Sequence, residues 1–256
     1  MNRRIIFVFV LMVMVLSSVS AFGSSFVNAG FEDGTFNGWT RGSGYWDGTW
    51  PIDPTLYAPG GANYNAGYDA SAIVTPGADP IIGAALNRVY SGNFSARVND
   101  WVNNNSISTI FQRVNNYTDP QLFFAWSAVL EASHGPTDSD NFQLTLTDVT
   151  SNTVLYNQAY NSAIVPGIFN QAGGWYYSGW QTVGLNIAQD FPASIGHDLE
   201  ISLLASDCPY GGHAGYVYLD GFGAAPPTPG QVPEPATMLL LGLGLAGAAF
   251  MRKRMH

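Results

Sequence analysis

Between Phe22 and Gln231 no long segment repeats its apolar residues every 3.6 positions, whereas short stretches repeat them every second position. That contrast argues against a helical core and leaves strands as the building unit. Phe142, Leu144 and Leu146 alternate with Gln143, Thr145 and Thr147. Leu199, Ile201 and Leu203 alternate with Glu200 and Ser202, and Phe94, Ala96 and Val98 stand around Arg97. Residues 121–130 are apolar on both parities, as expected for a central strand buried on both faces. Further strands are predicted at 106–114, 153–160, 179–187 and 215–222. The turn clusters Asn115-Asn116, His134-Gly135-Pro136 and Ser151-Asn152 separate them. Eight or nine short strands without helices predict an all-β antiparallel sandwich, and a jelly roll is the usual closure at this size.

The two ends of the chain do not belong to that fold. Residues 1–21 carry Arg3 and Arg4, an apolar stretch over 5–16 and the small-residue exit Ser17-Ser18-Val19-Ser20-Ala21. This is the pattern of a secretory signal peptide, with Val19 and Ala21 suited to the −3 and −1 positions of a signal-peptidase cut after Ala21. At the other end a Pro/Gly linker over 226–231 leads to a segment over 232–256. It opens with Pro233-Glu234-Pro235, continues through the uncharged run 236–251 and ends in the cluster Arg252-Lys253-Arg254. As a helix that run is ~24 Å long at ~1.5 Å per residue, short of a ~30 Å hydrocarbon core. It spans as a single transmembrane helix if the flanking basic side chains snorkel, and their positive charge keeps the tail cytoplasmic.

The order triplet, short Gly/Ala/Leu helix, basic end resembles the PEP-CTERM sorting signal. The resemblance implies recognition by an exosortase, a membrane cysteine peptidase-transpeptidase. It further implies transient anchoring in the inner membrane, then delivery to the cell surface or exopolysaccharide matrix (biofilm) of a Gram-negative bacterium.

The intervening region, 22–225 as a domain, is acidic. From residue 22 to 231 the only basic side chains are Arg41, Arg88, Arg97 and Arg113, against seventeen acidic ones, which leaves a formal charge of −13. Such a surface repels nucleic acid and anionic lipid and is compatible with divalent cations and neutral sugars. Cys208 is the only cysteine, so the exported chain has no intramolecular disulfide. Its residue type suits a small buried apolar position. A turn at Gly211-Gly212 would bring Cys208 and His213 together as zinc ligands, but two ligands are too few for a structural site and no second Cys/His pair lies nearby in the sequence.

Residues 42–85 break the strand rhythm with Gly, Pro, Asp, Asn and aromatics. A loop this long is uncommon in a compact domain and is usually functional or mobile. Trp46, Trp50 and Tyr57 are the candidates for a sugar-stacking platform there. The alternative is that they pin the loop to the sandwich by burial.

Phe26-Val27-Asn28-Ala29-Gly30-Phe31-Glu32-Asp33-Gly34, with Asn37-Gly38-Trp39, opens the domain, and Tyr216-Val217-Tyr218-Leu219-Asp220-Gly221-Phe222 closes it. Between them stand Gly92-Asn93-Phe94-Ser95-Ala96-Arg97-Val98, Ile110-Phe111-Gln112-Arg113-Val114 and Gly179-Trp180-Gln181-Thr182-Val183. In this order they resemble the galactose-binding-like and carbohydrate-binding-module jelly rolls. The resemblance implies one structural Ca²⁺ held by Glu32 and Asp220 with backbone carbonyls, although Gly221 removes a ligand that relatives often supply. Otherwise Asp220 caps a turn before Gly221 and Glu32 is exposed.

Catalytic signatures are missing: there is no G-x-S-x-G, no H-E-x-x-H and no P-loop. Glu32, Glu131 and Glu200 are the domain's only glutamates, and Asp138 and Asp140 lie in a turn-rich segment. The sequence therefore points to a non-catalytic structural or adhesive module, with a glycan-binding module as the alternative and a glycoside-active enzyme as a distant one. Exosortase, signal peptidase and extracellular polysaccharide are the partners it implies.

Overall fold

The computed structural model describes residues 25–223. The expected signal peptide 1–21, linker 226–231 and transmembrane helix 236–251 lie outside the described residues. Among the described residues no helix is long and apolar enough to cross a membrane.

Among the described residues fourteen antiparallel strands build the domain. One sheet has the order β1 (Thr40–Tyr45), β6 (Ser106–Val114), β13 (Leu199–Ser206), β8 (Asn141–Asp148), β9 (Thr153–Asn161). The other runs β10 (Phe169–Ala172), β11 (Trp175–Ser178), β7 (Leu122–Glu131), β14 (Gly215–Gly223), β5 (Ser95–Val98), β2 (Ala72–Val74). Strand β12 (Gln181–Leu185) pairs with residues 122–126 of β7, and β11 pairs with residues 129–131. A hairpin of β3 (Ala78–Asp79) and β4 (Gly83–Asn87) stands apart. From β5 onward the chain crosses repeatedly between sheets, giving β5-β14-β7-β12 against β6-β13-β8-β9. That is jelly-roll connectivity, and its eight strands coincide with the eight segments that the sequence marks as strands.

Six short strands were not expected. β1 lies at the start of the stretch read as a loop, and its sequence, TRGSGY, has no β-branched run. A Cβ at Gly42 would overlap the Tyr57 carbonyl, and one at Gly44 would overlap the Asn63 carbonyl. The strand gives up side chains so that the following loop can lie on it. A short helix, Ile187–Asp190, is also present, capped by the Asn186 side chain accepting from the Gln189 amide.

The main core fills the space between sheets with Phe124, Trp126, Phe142, Leu144, Leu146, Ile201, Leu203, Val217 and Leu219. Each sheet then carries a second apolar layer on its outer face. Over the five-stranded sheet, Trp46, Ile52 and Tyr57 of the long loop pack on Ile107 and Leu204. Over the seven-stranded sheet, Leu86 and Ile82 of the hairpin region join Val74, Val129, Tyr216 and Tyr218. This second layer is why β7 is apolar on both parities.

The expected stacking platform is therefore absent. Trp46 is fully buried and Tyr57 is 2% exposed, while Trp50 is 40% exposed. The Trp46 amide donates to the Asn105 carbonyl and its indole N–H to the Thr49 carbonyl. Burying each large ring is worth ~1.5–3 kcal/mol. These two rings fasten the loop to the sheet, and Trp50 alone makes no platform.

Candidate functional site

The aromatic surface of the domain lies on the other sheet. In β14, Val217 and Leu219 point into the core, so Tyr216 and Tyr218 point outward, where the hairpin β3–β4 covers them. The ring contacts continue on both sides. Tyr216 lies 6.0 Å from Trp101, 6.2 Å from Trp175 and 5.7 Å from Tyr218. Tyr218 lies 6.2 Å from Trp180, which lies 5.5 Å from Tyr90. The result is a ribbon of rings along the outer face, buried in its middle and partly open at its ends. Trp101 is 38% exposed, and Trp175, Tyr177, Trp180 and Tyr90 are half-buried. The Arg97 guanidinium sits 4.5 Å over the Trp101 ring while donating to the carbonyls of Asn99 and Ala70. The Trp180 indole donates to the Asn87 carbonyl at 2.8 Å and so ties the ribbon to the hairpin.

One buried carboxylate holds this face together. Asp79 accepts from the amides of Ile81 and Ile82 and from the hydroxyls of Tyr216 and Tyr218, all within 3.0 Å. Burial first, then the Asp79 charge, pushes both phenols far above the ordinary tyrosine range, so they remain neutral donors. In sequence, Tyr216, Tyr218 and Trp180 stand out only as parts of strand motifs, and Asp79, Trp101 and Trp175 not at all. The signal was present in parity: Tyr216 and Tyr218 share one face of β14, as Trp175 and Tyr177 share one face of β11.

Glu32 and Asp220, the two acids that the resemblance assigns to calcium, both hold the turn 90–94. Asp220 Oδ2 accepts from the amides of Tyr90 and Ser91, and Oδ1 accepts from Gly221. Glu32 accepts from the amides of Asn93 and Phe94. The two acids thus grip one turn, 90–94, from opposite ends. A Cβ on Gly92, whose φ is +75°, would collide with the Glu32 carboxylate, so the grip requires glycine there. Asp220 is buried, and burial above all, with the Glu32 charge adding, pushes its acid up to about 7.

Asp138 and Asp140 do not share an open face. Asp138 accepts from the Gly135 amide at the surface turn. Asp140 is fully buried, accepts from the Ser162 hydroxyl at 2.5 Å, and leaves Oδ2 without a hydrogen-bond partner. Burial foremost, then the charges of Glu131 and Asp207, pushes it well above the usual carboxylate range. Glu131 accepts from the Ala214 amide. Among the described residues a cleft of about 330 Å³ opens between Phe26, Ala29, Tyr117, Leu122 and Phe222, with Asp119 its only acid.

Residues 231–254 match the PEP-CTERM protein-sorting motif. The motif implies an exported protein, anchored in the membrane and then sorted to the cell surface by an exosortase. No curated protein matches the chain. Among solved structures it is similar to the carbohydrate-binding module TmCBM61 in complex with β-1,4-galactotriose, at 12% identity and a TM-score of 0.40, covering 77% of this chain and 95% of that one. A cyclase from Fischerella sp. TAU, in complex with 4-(1H-indol-3-yl)butan-2-one, aligns at 13% identity and a TM-score of 0.39, covering 79% and 96%. Caldicellulosiruptor saccharolyticus CBM27-1 in complex with mannohexaose aligns at 14% and 0.35, covering 76% and 93%. Similarity this distant carries neither ligand nor chemistry over to this chain.

Proposed function

We propose that the mature protein is a non-catalytic adhesive module of the bacterial surface, which engages extracellular polysaccharide through the outer aromatic face of its seven-stranded sheet. The sorting motif supports the destination, and the ribbon from Trp101 to Tyr90 supports the ligand class. Half-open indole and phenol rings offer apolar faces for sugar C–H groups, while Arg97 and the nearby loop carbonyls supply polar partners. The −13 charge favours neutral or cation-bridged glycans over anionic ones.

The test is retention of the purified protein on immobilised polysaccharide from its own host. Trp101→Ala and Trp175→Ala should each weaken retention at least tenfold, on the order of 1.4 kcal/mol. Circular dichroism should show that the sheet is intact. Retention equal to wild type in both variants would remove the aromatic face from the account and leave a purely structural module.

We also propose that Glu32 and Asp220 bind one structural Ca²⁺. Both offer hard oxygen ligands, and Asp220 Oδ1 accepts only one amide, so it keeps a lone pair. Ionising a buried Asp220 beside Glu32 is costly, and a divalent cation offsets that cost. It would also brace the two ends of the domain in a chain that has no disulfide. At a hundredfold excess over Kd, calcium would add ~2.7 kcal/mol. EGTA should then lower the Tm by about 5–10 °C for a domain of this size, and Asp220→Ala should abolish the difference. Identical melting curves in calcium and magnesium at matched ionic strength would rule the site out.

A further inference from the structure

At the other end of β14 the fold assembles a cluster that chain order conceals. The turn 208–213 is closed by the Cys208 amide donating to the His213 carbonyl and the Gly211 amide donating to the Cys208 carbonyl. This folds the imidazole back onto the thiol: His213 Nδ1 lies 3.6 Å from Cys208 Sγ, and the Gly212 amide donates to the same sulfur. His134 arrives from a distant part of the sequence. It follows β7, and β7 pairs with β14 so that Leu130 stands opposite Gly215. That register sets the His134 ring edge-on to the His213 ring at 4.8 Å. One ligand atom from each of the three residues lies within 4.8 Å of the others.

We propose that His134, Cys208 and His213 form a zinc site. The donor set, one thiolate sulfur and two imidazole nitrogens, suits a borderline-to-soft ion and not calcium. With Zn–S at about 2.3 Å and Zn–N at about 2.0–2.1 Å, a tetrahedral ion holds sulfur and nitrogen ~3.6 Å apart. Cys208 and His213 already stand at that separation. The exposed His134 closes the remaining distance by side-chain rotation, with no movement of the buried thiol. Three protein ligands leave the fourth position to water or to a group on another molecule. The site is separate from the Glu32–Asp220 pair, whose Asp220 stands toward the other end of the same strand.

Cobalt(II) titration of the tag-free, full-length protein tests this directly, because Co²⁺ reports its ligands optically in place of Zn²⁺. One equivalent should produce a thiolate-to-cobalt charge-transfer band in the near ultraviolet. Zinc should displace it and calcium should not. Cys208→Ser should abolish the band. His134→Ala, at an exposed position, should keep the fold and weaken zinc binding at least tenfold, as should His213→Ala. If the serine variant fails to fold, the two histidine variants decide. A wild-type protein without the charge-transfer band, or zinc affinity unchanged by His134→Ala, overturns the proposal and leaves the cluster as a packed Cys–His contact.

Discussion

Asp79→Ala is expected to lower the stability of the domain by about 2–6 kcal/mol, because it strips the acceptor from two buried phenols at once. Each buried polar group left unpaired costs ~1–3 kcal/mol. Asp79 is 2% exposed and Tyr216 and Tyr218 are fully buried, so water does not replace the carboxylate without opening the hairpin. At ~2–4 °C per kcal/mol for a domain of this size, the loss reads as a drop of roughly 5–25 °C in Tm. The control is the triple variant Asp79→Ala, Tyr216→Phe, Tyr218→Phe. Removing both sides of a hydrogen bond is nearly neutral when shape is kept, so this variant should recover at least half of the loss. The single variant should also become sensitive to protease in the hairpin over 80–85, since Asp79 is the polar anchor between that hairpin and β14. A Tm within 1 °C of wild type would mean that the apolar contacts of Leu86 and Ile82 hold the hairpin alone.

That one residue also marks where sequence reading stopped. The eight jelly-roll strands were legible because burial on one face writes itself as alternation, as in residues 142–147. β1 was not legible. Its glycines answer to the carbonyls of Tyr57 and Asn63, contacts that no local pattern encodes. Trp46 and Tyr57 were visible as aromatics in a long loop, but aromatic residues serve burial and stacking alike. Only the positions of Ile107 and Leu204 beneath them separate the two. Glu32 and Asp220 were brought together by resemblance, and their shared grip on the turn 90–94 has no local signature. His134 was hidden for a plainer reason. Its distance from His213 is set by the pairing of β7 with β14, and pairing of distant strands is not written in either strand.

The second large effect concerns the part of the chain outside the described residues. Pro233 and Pro235 stand immediately before the apolar run and belong to the matched motif. The match to the sorting motif covers this triplet, the run 236–251 and the cluster Arg252-Lys253-Arg254. Pro233→Ala with Pro235→Ala should leave export intact, because residues 1–21 are unchanged. It should convert the product from processed to unprocessed at the C-terminus. The effect is all-or-none in mass, and the sandwich, whose described residues end at 223, should melt as wild type does.

Intact mass spectrometry of the protein recovered from its native host therefore tests the central claim most directly. The account predicts a wild-type chain that begins at Phe22 and ends upstream of Arg252-Lys253-Arg254. The double proline variant should begin at Phe22 and retain His256. Wild type and variant sharing one C-terminus, processed or not, would contradict sorting through this motif.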